Sequence, residues 1–390
     1  MAFFRNDTVN LLNLHYGIHA LAASGGGAFF AAYLLHAGLP PPAVLSALAL
    51  ILGGRFLIRP FVLAPARRWG LKPLVIAGTV FSGLQYPLLA TVHGVDGRLL
   101  ALCVVASISD TVYWTSYHAY FASLGDAHHR GHQLGAREAI VAVVGIAGPL
   151  VAGWTLTTLG PQVAFGATAA FLVLSAAPIL AAPNVRIADA APGAFRAALA
   201  GVLMFVVDGW LGATFIFVWQ IALFMSLGEN FTTYGGAMAL AAVFGAASGL
   251  ILGRFIDAGH GVRAVWIATG SIAIVVGLRA ASYGHPLLAV ATNAAGAFVP
   301  ALYTPTLMTA VYNQAQRSPC VLRFHMATEG GWDAGAASGC LVASGLLWAG
   351  APISLAVMLA LGGAGAAFVL LRRYYTGEQT PLIPANAQRR

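Results

Sequence analysis

Long apolar stretches dominate this chain. Twelve of them run near residues 9–36, 41–64, 71–92, 97–121, 134–159, 161–182, 196–226, 232–256, 262–282, 286–312, 321–349 and 351–373. Most exceed about 18 residues, the length that spans a bilayer as a helix, and none alternates as a strand would. In lipid the backbone must satisfy its own hydrogen bonds, and unbroken stretches of this length do so as helices. Composition agrees: 59% of residues are hydrophobic and 8% charged, against roughly 25% charged in a soluble domain.

The chain also partly repeats itself. Shifted by 191 positions, Gly-Pro-Leu-Val-Ala-Gly at 148–153 falls on Gly-Cys-Leu-Val-Ala-Ser at 339–344. The same shift lays Glu138 on Glu329 and Gly70 on Gly261. The expected fold class is therefore an all-α integral membrane protein with 12 transmembrane helices in two pseudo-symmetric six-helix bundles. Residues 1–183 form the first bundle, 184–195 a cytoplasmic linker, and 196–390 the second bundle with a short cytoplasmic tail. A parallel repeat of this kind places a binding site between the bundles, near the bilayer midplane.

The net charge of +8 is explained by topology rather than by nucleic acid. With the N-terminus inside, Arg5, Arg67, Arg68, Lys72, Arg130, Arg137, Arg186, Arg196, Arg254, Arg263, Arg317, Arg323, Arg372, Arg373, Arg389 and Arg390 all fall on the cytoplasmic side, while Arg98 and Arg279 fall outside. That bias sets both termini in the cytoplasm and makes membrane lipids the partner of the basic loops. Nineteen arginines against one lysine point to a G+C-rich genome and so to a bacterial inner membrane. Cys103, Cys320 and Cys340 have no metal-ligand spacing and read as packing residues. His15 and His19 share a helix face at metal-ligand spacing but lack further ligands, so neither a metal nor a cofactor is expected. Gly245, Gly249 and Gly253 form a small-residue seam for close helix packing. Pro149, Pro300 and Pro305 should kink or open their helices.

Two basic turns occupy equivalent places in the halves: residues 63–72, with Arg67, Arg68 and Lys72, and residues 253–263, with Arg254, Asp257 and Arg263. These turns resemble the loop between the second and third helices of the major facilitator superfamily, roughly G-x-L-A-D-R-x-G-R-K. The second copy keeps the starting glycine, Asp257 and a basic end; the first has Arg67 where the family has Asp. Residues 145–153 resemble the glycine-proline signature of the fifth helix associated with antiporters, ending in Ala152-Gly153. The fourth-helix Arg of many proton-coupled drug exporters is absent; Asp110, Tyr113, Trp114 and Tyr117 stand there instead. The resemblance implies a secondary transporter rather than an enzyme, working by alternating access on a small solute.

Ionisable residues within spans are costly and usually functional. Arg55 and Arg59 lie one turn apart on the second span, Glu329 and Asp333 one turn apart on the eleventh. The resemblance implies that these helices face each other, so the pairs would bridge the bundles and close the cytoplasmic side; alternatively each satisfies its own bundle or snorkels. Arg55 and Arg59 could equally hold an organic anion, since guanidinium binds carboxylate bidentately. Asp208 and His19 lie near the middle of the seventh and first spans, helices that line the cavity in that family, and both can carry a proton. Asp110 is a second carboxyl of this kind, or a partner for Arg55. Tyr113, Trp114, Tyr117 and Trp332 are candidate aromatic walls for an organic solute.

The expected function is proton-coupled export of a small polar or amphiphilic solute by a monomer. The alternatives are uptake or facilitated diffusion of an organic anion at Arg55 and Arg59, or a lipid scramblase or membrane enzyme.

Overall fold

The computed structural model describes residues 7–124, 130–187, 190–256 and 261–377, with side chains left aside at 122, 130–139 and 249–256. Among the described residues the chain is helical, with no strand. Its long helical segments are α1 (Asp7–His36), α2 (Pro41–Trp69), α3 (Leu71–Leu89), α4 (Gly97–Leu124), α5 (Arg130–Thr158), α6 (Pro161–Leu180), α7 (Leu199–Ser226), α8 (Phe231–Ile256), α9 (Gly261–Ser282), α10 (Pro286–Gln316), α11 (Val321–Trp348) and α12 (Ile353–Tyr375).

Among the described residues, ten of these are long and apolar enough to cross a membrane, the build of a multi-pass membrane protein. The other two, α3 and α11, have 19 and 28 residues. They fall short in apolarity because polar side chains interrupt them: Lys72 and Gln85 in α3, Arg323, His325, Glu329 and Asp333 in α11. Several of those interruptions build the site.

Proline and glycine punctuate the helices as chain geometry requires. Pro60 has no N–H to donate, and α2 tightens into a 3-10 turn over Arg59–Val62 there. The helix α10 breaks at residues 297–298, just ahead of Pro300, whereas α5 and α10 stay helical through Pro149 and Pro305. Gly70, at φ 87°, makes the turn between α2 and α3, a conformation open to glycine at little cost.

Contacts recur with the period of the repeat. In the first half α1 packs on α5 and α6, α2 on α4, and α3 on α4 and α6. Six helices later α7 packs on α11 and α12, α8 on α10, and α9 on α10 and α12. The halves meet where α2 packs on α11, α5 on α8, and the end of α1 on the end of α7. The repeated glycines serve the same purpose in both halves. A Cβ on Gly148 would strike Ser24 of α1, and one on Gly339 would lie 2.9 Å from Ala213 of α7.

The tightest seam is on α11 rather than at the predicted place on α8. Side chains at Gly331 and Gly335 would overlap the Val202 and Val206 carbonyls of α7, whereas Gly245 has only ordinary contact with Ala297. Gly249 and Gly253 lie outside the described side-chain surroundings. Close approach through small residues is how helices associate where lipid supplies no hydrophobic drive. Leu57, Phe61, Trp154, Trp266, Ile274 and Leu287 face outward and are exposed, an apolar exterior in keeping with a multi-pass membrane protein.

Candidate functional site

The buried charges converge between α2, α4 and α11. Arg59 donates from Nη1 to Glu329 Oε2 at 2.5 Å and to Thr115 Oγ1 at 2.9 Å, and from Nη2 to Asp333 Oδ2. Arg55 Nη2 lies 2.9 Å from Asp333 Oδ1, and Arg55 Nη1 3.9 Å from Asp110 Oδ2. Helical spacing explains the arrangement: positions i and i+4 point to one face, so each helix presents a two-charge face to the other. Arg59 and Asp333 are buried at 3% and 0% exposure, so these are not solvated surface pairs. His118 Nε2 stands 3.9 Å from Glu329 Oε1 at the edge of the cluster.

A cavity of about 220 Å³ opens beside this cluster. Its polar lining is His19, Arg55, Ser82, Gln85, Asp110 and Gln220, and its aromatic lining Phe30, Tyr86, Trp114 and Phe217. All of these come from the first half except Phe217 and Gln220 of α7. Gln85 Nε2 approaches Asp110 Oδ1 at 3.5 Å. Inter-half contacts flank the cavity along the helices. On one side is the arginine–carboxylate cluster. On the other, Ser46 and Ser344 meet at 2.9 Å, Tyr234 donates to the Ala28 carbonyl at 3.2 Å, and Phe231 packs on Phe29 and His36.

Four of the predicted solute or proton residues, His19, Arg55, Asp110 and Trp114, line this cavity. Tyr113 and Tyr117 are fully buried behind them. The ring of His19 stacks on Tyr113 at 4.2 Å with 9° between planes, and Tyr113 stacks on Tyr117. His15 takes both its nitrogens out of play for a metal: Nδ1 donates to the Ser175 carbonyl at 2.6 Å, leaving Nε2 to accept from the Tyr113 hydroxyl at 3.0 Å.

Asp208 and Trp332 are not among the lining residues. Asp208 faces the Tyr303 hydroxyl and the Trp332 indole, and the Trp332 ring lies 5.8 Å from the Arg55 guanidinium carbon. Tyr303 is a partner that the sequence reading did not find, since a single tyrosine in an apolar span carries no signal of its own. Gln85 and Gln220 did carry one, as lone amides within apolar stretches.

Arg279 differs most from expectation. Read as a cation at the outer end of a span, it is buried at 5% exposure and has no carboxylate partner among the described residues. The guanidinium donates to the Phe215 carbonyl at 2.6 Å and lies over the Phe215 and Trp219 rings at 4.1 and 4.8 Å. Phe215 belongs to a π-helical turn, Gly212–Phe217, within α7. A π-turn displaces the regular i→i−4 hydrogen bonds, and Arg279 supplies a donor to one of its carbonyls.

The loop candidates have local roles in view. Lys72 Nζ donates to the Leu180 and Ala182 carbonyls at 2.6 and 2.8 Å, at the C-terminal end of α6, where a cation suits the helix dipole. Asn184 bridges the same turn, accepting from Lys72 N and donating to the Trp69 carbonyl. Arg67, Arg68 and Arg263 are exposed, with Arg68 against the Trp69 ring. Asp257 lies outside the described residues, as do the side chains of Arg254 and Glu138.

No family model matches the sequence, and no curated relative does either. Solved structures do resemble it. An auto-inhibited POT family peptide transporter superposes with a TM-score of 0.67 at 13% identity, over 97% of this chain and 99% of the other. The nucleoside transporter NupG, in a mutant form, gives a TM-score of 0.67 at 14% identity, over 96% and 100%. The chain has the fold of these two transporters.

Proposed function

We propose that this protein is a secondary active transporter that moves a small polar or amphiphilic organic solute by alternating access. The observation that carries the reading is a cavity lined mainly by the first half and completed by Phe217 and Gln220 of the second, with inter-half contacts on either side along the helices. In such a site one set of contacts must break for solute to enter and the other for it to leave. The arginine–carboxylate cluster is the gate on the side of the α2–α3 turn; the Ser46–Ser344 and Tyr234–Ala28 contacts form the opposite gate.

Twelve membrane crossings in two six-helix bundles, residues 1–183 and 196–390 joined by 184–195, are supported by contacts that recur six helices apart. The arginine distribution supports cytoplasmic termini in a bacterial inner membrane. The glycine-proline stretch at 145–153 supports export, and the buried carboxyls support coupling to protons. A monomer suffices, because cavity and gates lie within one chain. Mixed amides, aromatics and an Arg–Asp pair around about 220 Å³ suit a compact solute with both polar and flat apolar parts.

Thermal stabilisation of the purified protein across a metabolite library identifies the solute. A compound at a hundred times its Kd adds about 2.7 kcal/mol. Counterflow of that compound in proteoliposomes should then stop when Ser46→Cys and Ser344→Cys are cross-linked, and resume on reduction. Undiminished counterflow with the pair cross-linked would rule out alternating access at this site.

A further inference from the structure

The charges between α2, α4 and α11 do not balance. Arg55 and Arg59 bring two positive charges; Asp110, Glu329 and Asp333 bring three negative ones. Among the described residues the other basic groups acting on these carboxylates are His118 and His325, and both act on Glu329 alone. The His118 side chain is half exposed and stands 3.9 Å from Glu329. An uncompensated charge enclosed at membrane depth is costly. The cluster is therefore one positive charge short, and Asp110, whose side chain at 26% is the most exposed of the three carboxylates, is where another can reach it.

Geometry locates the deficit. Arg59 is committed to Glu329 and Asp333. Arg55 is 2.9 Å from Asp333 but 3.9 Å from Asp110, and the remaining polar contact of Asp110 is the Gln85 amide at 3.5 Å. Asp110 thus has the weakest counter-ion of the three, and it alone among them lines the cavity. The groups that face it are Arg55 on α2, Gln85 and Tyr86 on α3 and Asp333 on α11, with His19 and Trp114 around the same cavity.

Building on the transporter reading above, we infer that Asp110 is the coupling-proton site and that Arg55 converts its protonation into closure of the α2–α11 gate. A proton passes from hydronium in the cavity to an Asp110 carboxyl oxygen, leaving water. The cluster then holds two positive and two negative charges, and Arg55 is released wholly to Asp333 across the halves. Loss of the proton draws Arg55 back toward Asp110 and weakens the bridge. Low pH therefore favours the closed gate, with one proton taken up on closing. By linkage the closed-to-open ratio changes by at most about tenfold per pH unit. This assignment places the coupling carboxyl in the first half, on the gate itself, rather than at Asp208.

The test is a distance measurement across the gate by double electron–electron resonance. Spin labels go on Trp69→Cys and Arg317→Cys, both exposed, with Cys103, Cys320 and Cys340 replaced by serine. From about pH 5 to about pH 9, a range spanning ordinary carboxyl and imidazole groups, the wild-type background should move from the short to the long distance. Asp110→Asn, neutral at every pH, should stay at the short distance throughout, while Asp208→Asn, His118→Gln and His325→Gln should keep the switch. A wild-type response in Asp110→Asn overturns the inference, as does loss of the response in either histidine variant or a switch that follows sodium at fixed pH. If Asp110→Asn does not fold, Asp110→Glu should shift the protonated-carboxyl band in pH-difference infrared spectra, and an unshifted band overturns the assignment. Two distances in pH-independent proportion would sink this inference alone; a single distance under all conditions, solute included, would sink the alternating-access reading itself.

Discussion

Arg59 is nearly sealed from solvent yet carries a full charge, and both of its carboxylate partners come from the other half of the chain. Breaking a buried pair by removing one partner typically costs about 3–5 kcal/mol, because the survivor stays buried and unpaired. Arg59→Asp and Asp333→Arg should each destabilise the purified protein by at least that much, seen as a lower unfolding temperature, and the double reversal should recover part of the loss. A double variant no more stable than the worse single one would show that the two side chains do not act on each other. Both pairs were legible in the sequence because four-residue spacing on a helix and opposite sign are local properties. What was not legible is who meets whom. The saturation of His15 by Ser175 and Tyr113, and the pairing of Asp208 with Tyr303 rather than a titratable residue of the first half, depend on contacts 95 or more positions apart in sequence. The inward turn of Arg279 was not legible for the same reason: a cation near the end of an apolar stretch looks identical whether it snorkels outward or turns inward to a carbonyl.

Among the helices, α7 carries the most informative irregularity. Its π-turn ends at Phe217 and leads to Gln220, the two residues of this half that line the cavity, so the turn sets which side chains α7 presents there. Arg279→Met keeps much of the apolar packing but removes the donor to the Phe215 carbonyl. Losing that charge-assisted hydrogen bond should cost about 1–3 kcal/mol, seen as a lower melting temperature, with faster amide exchange confined to residues near 212–220. Exchange that is unchanged there, or raised over the whole chain, would mean that Arg279 does not hold the turn. The partner of α7 offers a cleaner contrast. A methyl at Gly335 would overlap the Val206 carbonyl, whereas one at Gly345 meets nothing. Overpacking a tight site costs about 1–3 kcal/mol, so Gly335→Ala should destabilise by that much. Gly345→Ala should be neutral or gain up to about 1 kcal/mol of helix propensity. Equal effects in the two variants would refute the seam. Helix places were readable from apolar length alone; the π-turn was not, because it answers to Arg279, 64 positions further along the chain from Phe215.

At the scale of the whole molecule the repeat was the strongest signal, and its physical content is the packing of Gly148 on α1 and Gly339 on α7. The recurrence of contacts six helices apart matches the offset of that repeat. The least apolar helices, α3 and α11, then decide the topology. They supply Gln85, Glu329 and Asp333 to the site, and that polarity is what separates them from the ten helices that qualify as spans by composition. A helix whose polar residues are satisfied by protein rather than by lipid can still cross, and both have the length to do so. Single cysteines at Trp69, Asp96, Arg317 and Gly350, all exposed and flanking these two helices, should report the crossings to a membrane-impermeant maleimide. With Cys103, Cys320 and Cys340 replaced by serine, Asp96→Cys and Gly350→Cys should label from outside in intact cells. Trp69→Cys and Arg317→Cys should label only after permeabilisation, as the basic loops around them require. Trp69→Cys and Asp96→Cys labelling from one side would mean that α3 does not cross, and Arg317→Cys with Gly350→Cys the same for α11. Either result would put the charge cluster at a membrane surface, where its pairs would be screened and worth little, and the gate would lose its physical basis.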